Sequence, residues 1–124
     1  MQGSKLFLPV PITLQWLPPW EPVEKYAEVL VAELVKELHP RHVLFGRPAK
    51  AIARKNSCDD VLFAIDDAAS PLAMVHLTWS SHASSDELSP WTNLFMNWAD
   101  WVEQILLPDH QEYMSFDEGR GNSP

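Results

Sequence analysis

A single cysteine, Cys58, is the only sulfhydryl in 124 residues. No intramolecular disulfide can shape the fold, and a reducing, cytoplasmic compartment is the expected home. Long apolar runs are missing too, since no stretch approaches the roughly eighteen consecutive apolar residues of a membrane span. The nearest, Leu6 to Leu17, is interrupted by Pro9 and Pro11, has Lys5 as its only leading positive charge, and is followed by no small-x-small cleavage pattern. It reads as mature structure rather than a signal peptide, so a soluble protein away from membranes is expected. Positive charge is scarce: nine Lys and Arg stand against seventeen Asp and Glu, a formal net charge of −8 that repels polyphosphate. Arg47, Lys50, Arg54 and Lys55 form a local basic stretch, but no aromatic platform is interleaved with it. It reads as a solvated strand face, and nucleic acid is not an expected partner. Neither H-E-x-x-H, nor paired C-x-x-C, nor a G-x-S-x-G elbow, nor an internal repeat occurs.

What is present is an ordinary globular composition, 46% hydrophobic and 21% charged, with six tryptophans. One domain over residues 1–116 is expected, with 117–124 as a disordered Gly/Ser/Asn-rich tail. The chain is organised around a hairpin from Asp59 to Ser80. Val61 to Ile65 and Leu72 to Trp79 are strand-like runs, and Asp66 to Pro71 supplies the acceptors and the fixed φ of a reversal. Ala49 to Lys55 precedes it as a further strand, placing Lys50, Ile52 and Arg54 on one face and three alanines on the other. In the last strand Ala73, Val75, Leu77 and Trp79 share the core face. Leu72, Met74, His76 and Thr78 share the reverse face, to be covered in part by the N-terminal arm or another subunit.

Leu6 to Leu17, with its prolines, is an edge strand or an extended arm. From about Pro19 to His39 the recurrence of Val23, Tyr26, Ala27, Leu30, Leu34 and Leu38 predicts a helix ended by Pro40, with Glu28, Glu33, Lys36 and Glu37 toward its solvent side. Ser89-Pro90 reads as the cap of a second helix carrying Leu94, Trp98, Trp101 and Ile105 and ending at Pro108. The expected fold is α+β: an N-terminal arm and helix, a three-stranded antiparallel β-meander, and a C-terminal helix, with both helices on one sheet face.

His42-Val43-Leu44-Phe45-Gly46, Ile52-Ala53-Arg54, Asp59-Asp60-Val61-Leu62-Phe63 and His76-Leu77-Thr78-Trp79 resemble, in that order, the HPLYG, IAR, DDVLF and HLTW motifs of a family of small uncharacterised bacterial proteins. The likeness covers about the middle third and departs at Val43, where the family pattern has proline. It implies a bacterial, cytoplasmic protein and carries over no catalytic residue.

The residues with most chemical potential are His76, Thr78 and Ser80 near the end of the hairpin, with Arg54 on the adjoining strand and Asp59 or Asp60 at its start. An imidazole beside a carboxylate can serve as a general base, and a hydroxyl as a nucleophile. The competing reading is a hydrogen-bonded structural histidine. His39, His42, His76, His82, Cys58, Asp59 and Asp60 all offer metal ligands, but none at a diagnostic spacing, so neither metal nor other cofactor is expected. The acidic neighbours of Cys58 disfavour its thiolate. Trp98 and Trp101, at helical spacing, read as core, whereas Trp16, Trp20 and Trp91 beside prolines are candidate anchors for a partner. The reading that follows is a non-enzymatic bacterial interaction or regulatory protein, with an unidentified protein partner or a second copy of itself. The alternative is a small hydrolase using His76 with Asp59 or Asp60. A pocket with His76 and Asp60 in hydrogen-bond reach favours the second, and a sealed His76 the first.

Overall fold

Val61 to Ile65 is apolar at every position, and strict alternation makes such a run a strand buried on both faces. A computed structural model, describing residues 7–56, 58–80 and 82–121, has it so. Five strands form one antiparallel sheet in sequence order: β1 (Trp20–Pro22), β2 (Ala49–Lys55), β3 (Asp60–Ile65), β4 (Leu72–His76) and β5 (Thr92–Phe95). Val61, Phe63, Ala73, Val75 and Leu77 pack on one side with Leu30 and Leu34 of α1 (Ala27–Glu37). Leu62, Ala64 and Leu72 pack on the other with Trp20, Phe95, Trp98, Trp101 and Leu106. Each fully buried side chain of Phe63's kind contributes about 1.5–3 kcal/mol, so both faces are needed.

Two expectations are thereby corrected. The sheet has five strands, not three, and the helices lie on opposite faces, not one. The missed strands are short. Trp20–Pro22 stands where a helix was expected to start, and Thr92–Phe95 carries adjacent Leu94 and Phe95 that mimic helical spacing. Ser89-Pro90 is accordingly no helix cap. The helix begins at Trp98, after Asn97, whose side-chain oxygen accepts from Asp100 N at 2.8 Å.

Pro108 does not end that helix either. The α2 segment (Trp98–Trp101) passes into a π turn (Val102–Leu106) and on into α3 (Leu107–Gly121), with Leu107 N–H reaching Val102 O. A proline lacks an N–H and clashes with the carbonyl four residues back, and a widened turn ahead of it relieves both. Asp109 then ties α3 to the sheet, accepting from Trp20 Nε1 at 2.8 Å and facing Lys55 Nζ at 3.4 Å. Of the tail expected over 117–124, residues 122–124 lie outside the described residues. No helix among the described residues is long and apolar enough to cross a membrane.

Of the stretch expected over Leu6 to Leu17, Leu6 lies outside the described residues, and Phe7 to Leu17 is an arm rather than a strand. Phe7, Leu8, Leu14, Trp16 and Leu17 pack on the reverse face, and Trp16 meets Trp98 and Trp101 edge-on at 6.1 and 5.9 Å. Along β2 the expected alternation fails, because a bulge between Ala51 and Ala53 turns Ile52 and Ala53 to the same side. On α1, Glu33 and Glu37 are buried, not solvated. Trp79, expected in the core, is 44% exposed with φ 58°. Its N–H and that of Thr78 both donate to the Glu37 carboxylate.

Candidate functional site

The register of β3 and β4 sets Asp60 directly opposite His76. Side chains of an antiparallel pair that face each other share one side of the sheet, as do residues two apart in a strand. Met74 therefore joins His76, and Asn93, opposite Met74 on β5, joins them both. Beyond the reach of the C-terminal helix this face opens to solvent. There Asp60, Met74, His76, Trp91 and Asn93 line a pocket of about 370 Å³.

Within it His76 Nδ1 lies 2.8 Å from Asp60 Oδ1, with the imidazole 54% exposed and the carboxylate 21%. With Nδ1–H donating to the carboxylate, Nε2 is the acceptor, which is the tautomer a general base requires. The other carboxylate oxygen accepts from the Cys58 thiol at 3.4 Å. Backbone bonds fix the strand: His76 N donates to Trp91 O at 2.9 Å, and Leu77 N to Asp59 O at 3.0 Å.

The remaining residues named from sequence lie elsewhere. Asp59 accepts from Trp79 Nε1 at 3.2 Å and does not meet His76. Arg54 pairs in register with Val61, whose side chain belongs to the α1 face, so it stands across the sheet from the dyad. Thr78 Oγ1 accepts from Ser80 N, and Ser80 Oγ donates to His82 O. Both hydroxyls thus serve the loop after β4. Asp60 and His76 are the pair that comes together.

Among the other histidines, His42 is buried and structural. Its Nδ1 accepts from Leu44 N at 3.0 Å, which leaves Nε2–H to donate to Pro90 O at 3.0 Å. His39 Nδ1 accepts from Arg41 N, and His110 Nδ1 donates to Pro18 O. Cys58, Met74, Trp91 and Asn93 were not placed at the site from sequence. Cys58 sits in the bend just before β3, and its closeness in sequence to Asp60 is the one signal for it. Asn93 was hidden by the helical reading of β5.

One other polar group stands out. Glu37, 1% exposed, accepts from Thr78 N at 2.9 Å and Trp79 N at 2.7 Å. Burial, and then a hydrogen bond with Glu33, push its carboxyl above the ordinary range against the opposing pull of those N–H groups. It is enclosed on the α1 side and holds the chain leaving β4. No family model matches the chain, and no curated protein or solved structure matches it significantly. The residues themselves must carry the functional reading.

Proposed function

We propose that the protein is a small hydrolase in which His76 acts as general base. The observation that carries this reading is the 2.8 Å contact between His76 Nδ1 and Asp60 Oδ1 at the wall of an open pocket. His76 Nε2 takes a proton from water, and the hydroxide adds to a carbonyl carbon of the substrate. The bond to the leaving oxygen then breaks, and the imidazolium returns its proton to that oxygen. Asp60 touches no reacting atom and positions the ring in the productive tautomer. The Asn93 side-chain amide supplies a donor for the developing oxyanion, and Trp91 with Met74 forms an apolar wall for a small substrate. The bacterial, cytoplasmic setting implied by the motif resemblance belongs to the same proposal.

A panel of short-chain activated esters tests it. His76→Ala is expected to lower kcat about 100-fold. Asp60→Asn should lower kcat at least about tenfold while leaving KM nearly unchanged, the split expected of a positioning group. Turnover that survives His76→Ala would sink the reading.

A second reading, the non-enzymatic interaction protein, is favoured by one observation. Leu88, Trp91, Leu94 and Met96 are exposed on and around β5, one of the two edge strands of the sheet. Of the two covers offered from sequence for the reverse face, the N-terminal arm and a second copy, the arm lies on it together with the C-terminal helix, and the open part is the pocket around His76. A self-association surface would therefore lie along β5. Light scattering that gives a monomer at tens of micromolar, and again after Trp91→Ser, would leave self-association without support.

A further inference from the structure

Cys58, Asp60 and His76 bring three different metal donors to one spot. The thiol sulfur, a carboxylate oxygen and an imidazole nitrogen all lie within 4.8 Å of one another. We propose that this trio binds one divalent transition-metal ion of the zinc type, through Cys58 Sγ, one Asp60 oxygen and His76 Nδ1. Tetrahedral ligand bonds of about 2.0–2.3 Å set neighbouring donors about 3.3–3.7 Å apart. The separations here are 2.8 Å from Nδ1 to Oδ1 and 3.4 Å from Sγ to Oδ2. With all three donors within 4.8 Å of one another, spreading them around an ion takes a change of at most about 1.5 Å in any separation, with Asp60 and His76 already held opposite each other by the sheet.

The donor types choose the ion. Calcium and magnesium take all-oxygen shells, whereas a thiolate with an imidazole suits zinc or cobalt. Charge agrees, since a divalent ion neutralises the thiolate and carboxylate together in a chain of formal net charge −8. On binding, Cys58 releases its proton to solvent and the His76 proton moves from Nδ1 to Nε2, so one proton leaves per ion. Three protein ligands leave a fourth position for water or a small anion. This inference goes beyond the general-base reading, because the ion replaces the Asp60–His76 hydrogen bond on which that reading depends.

The test uses the full chain, reduced and free of any affinity tag, titrated with Co²⁺ alone. One equivalent is expected to bring up the visible bands of four-coordinate cobalt and a thiolate charge-transfer band, and Zn²⁺ should bleach both. Cys58→Ser should abolish the charge-transfer band, and Asp60→Asn and His76→Ala should each weaken Co²⁺ binding at least about tenfold. A measurement that needs no variant accompanies it: Zn²⁺ should slow alkylation of Cys58 in the unaltered chain at least about tenfold. No thiolate band at about 1 mM Co²⁺, a band or affinity unchanged in the variants, or alkylation indifferent to Zn²⁺ would each overturn the site. No ester enters these readouts. Metal binding without turnover would fault only the hydrolase reading, and turnover by a chain that binds no metal only this one.

Discussion

Replacing Glu37 with leucine keeps most of the buried volume and removes the acceptor. The carboxylate receives Thr78 N–H at 2.9 and 3.1 Å and Trp79 N–H at 2.7 Å, so two backbone donors lose their partner. A buried orphan donor costs about 1–3 kcal/mol. Thr78 and Trp79 are themselves exposed residues, so water meets part of that cost and about 1–2 kcal/mol each is the better figure. An apolar side chain returns up to about 1 kcal/mol by ending the burial of a carboxyl. The expected net loss is about 1–4 kcal/mol, and with a urea m-value of about 2 kcal/mol/M the midpoint should fall by about 0.5–2 M. The sign of the pH effect follows from the raised folded pKa. The folded chain keeps the Glu37 proton to higher pH than the unfolded chain, so this contribution is complete below the ordinary carboxyl value. It is lost as pH rises through the folded one. The deficit of Glu37→Leu against the parent should therefore be larger in mild acid than at neutral pH. Urea melts of both chains across that range provide the measurement. A variant as stable as the parent, or a deficit that grows with pH, would refute the reasoning.

Trp20 and Trp101 offer a matched comparison, because Trp→Phe removes the same atoms from each. Trp20 Nε1 donates to Asp109, while Trp101 Nε1 has no partner among the described residues. Trp20→Phe should thus cost about 2 kcal/mol more than Trp101→Phe in urea melts, and equal costs would contradict the assignment of these bonds. Asn97→Ala removes the cap of the C-terminal helix and should cost about 1 kcal/mol. An unchanged midpoint would show that Asn97 does not hold this helix start.

The hairpin was legible because its signals are local. The Asp66 to Pro71 turn and the alternation from Leu72 to Leu77 specify pairing without reference to the rest of the chain. The same alternation placed Ala73, Val75 and Leu77 in the core and His76 on the reverse face, where they are. What sequence could not yield were features decided by tertiary packing. The run Val61 to Ile65 demands cover on both faces, yet nothing in it says which helix covers which. β1 and β5 are three and four residues long, too short for any period to stand out, and their bonds come from longer neighbours. Glu37 looked solvated because charge usually is. Only the bend after β4, with Trp79 at φ 58°, supplies the N–H groups that justify its burial. The partner of His76 was narrowed to Asp59 or Asp60, and the register chose Asp60.

Stability and the proposed chemistry rest on different polar groups in this molecule, which makes the candidate site open to a clean test. An opposed cross-strand pair contributes about 0.2–1 kcal/mol, and a hydrogen bond as open to solvent as the one between His76 and Asp60 contributes no more. Such a pair is a minor part of the 5–15 kcal/mol that holds a domain together. His76→Ala and Asp60→Asn should accordingly unfold within about 1 kcal/mol of the parent, unlike Glu37→Leu, whose loss falls on backbone donors. A large fall in turnover or in cobalt affinity in those two variants then reports what the side chains do in the pocket. If either variant instead proved as destabilised as Glu37→Leu, the pair would be holding the end of the hairpin together, and its functional reading would have to give way to a structural one.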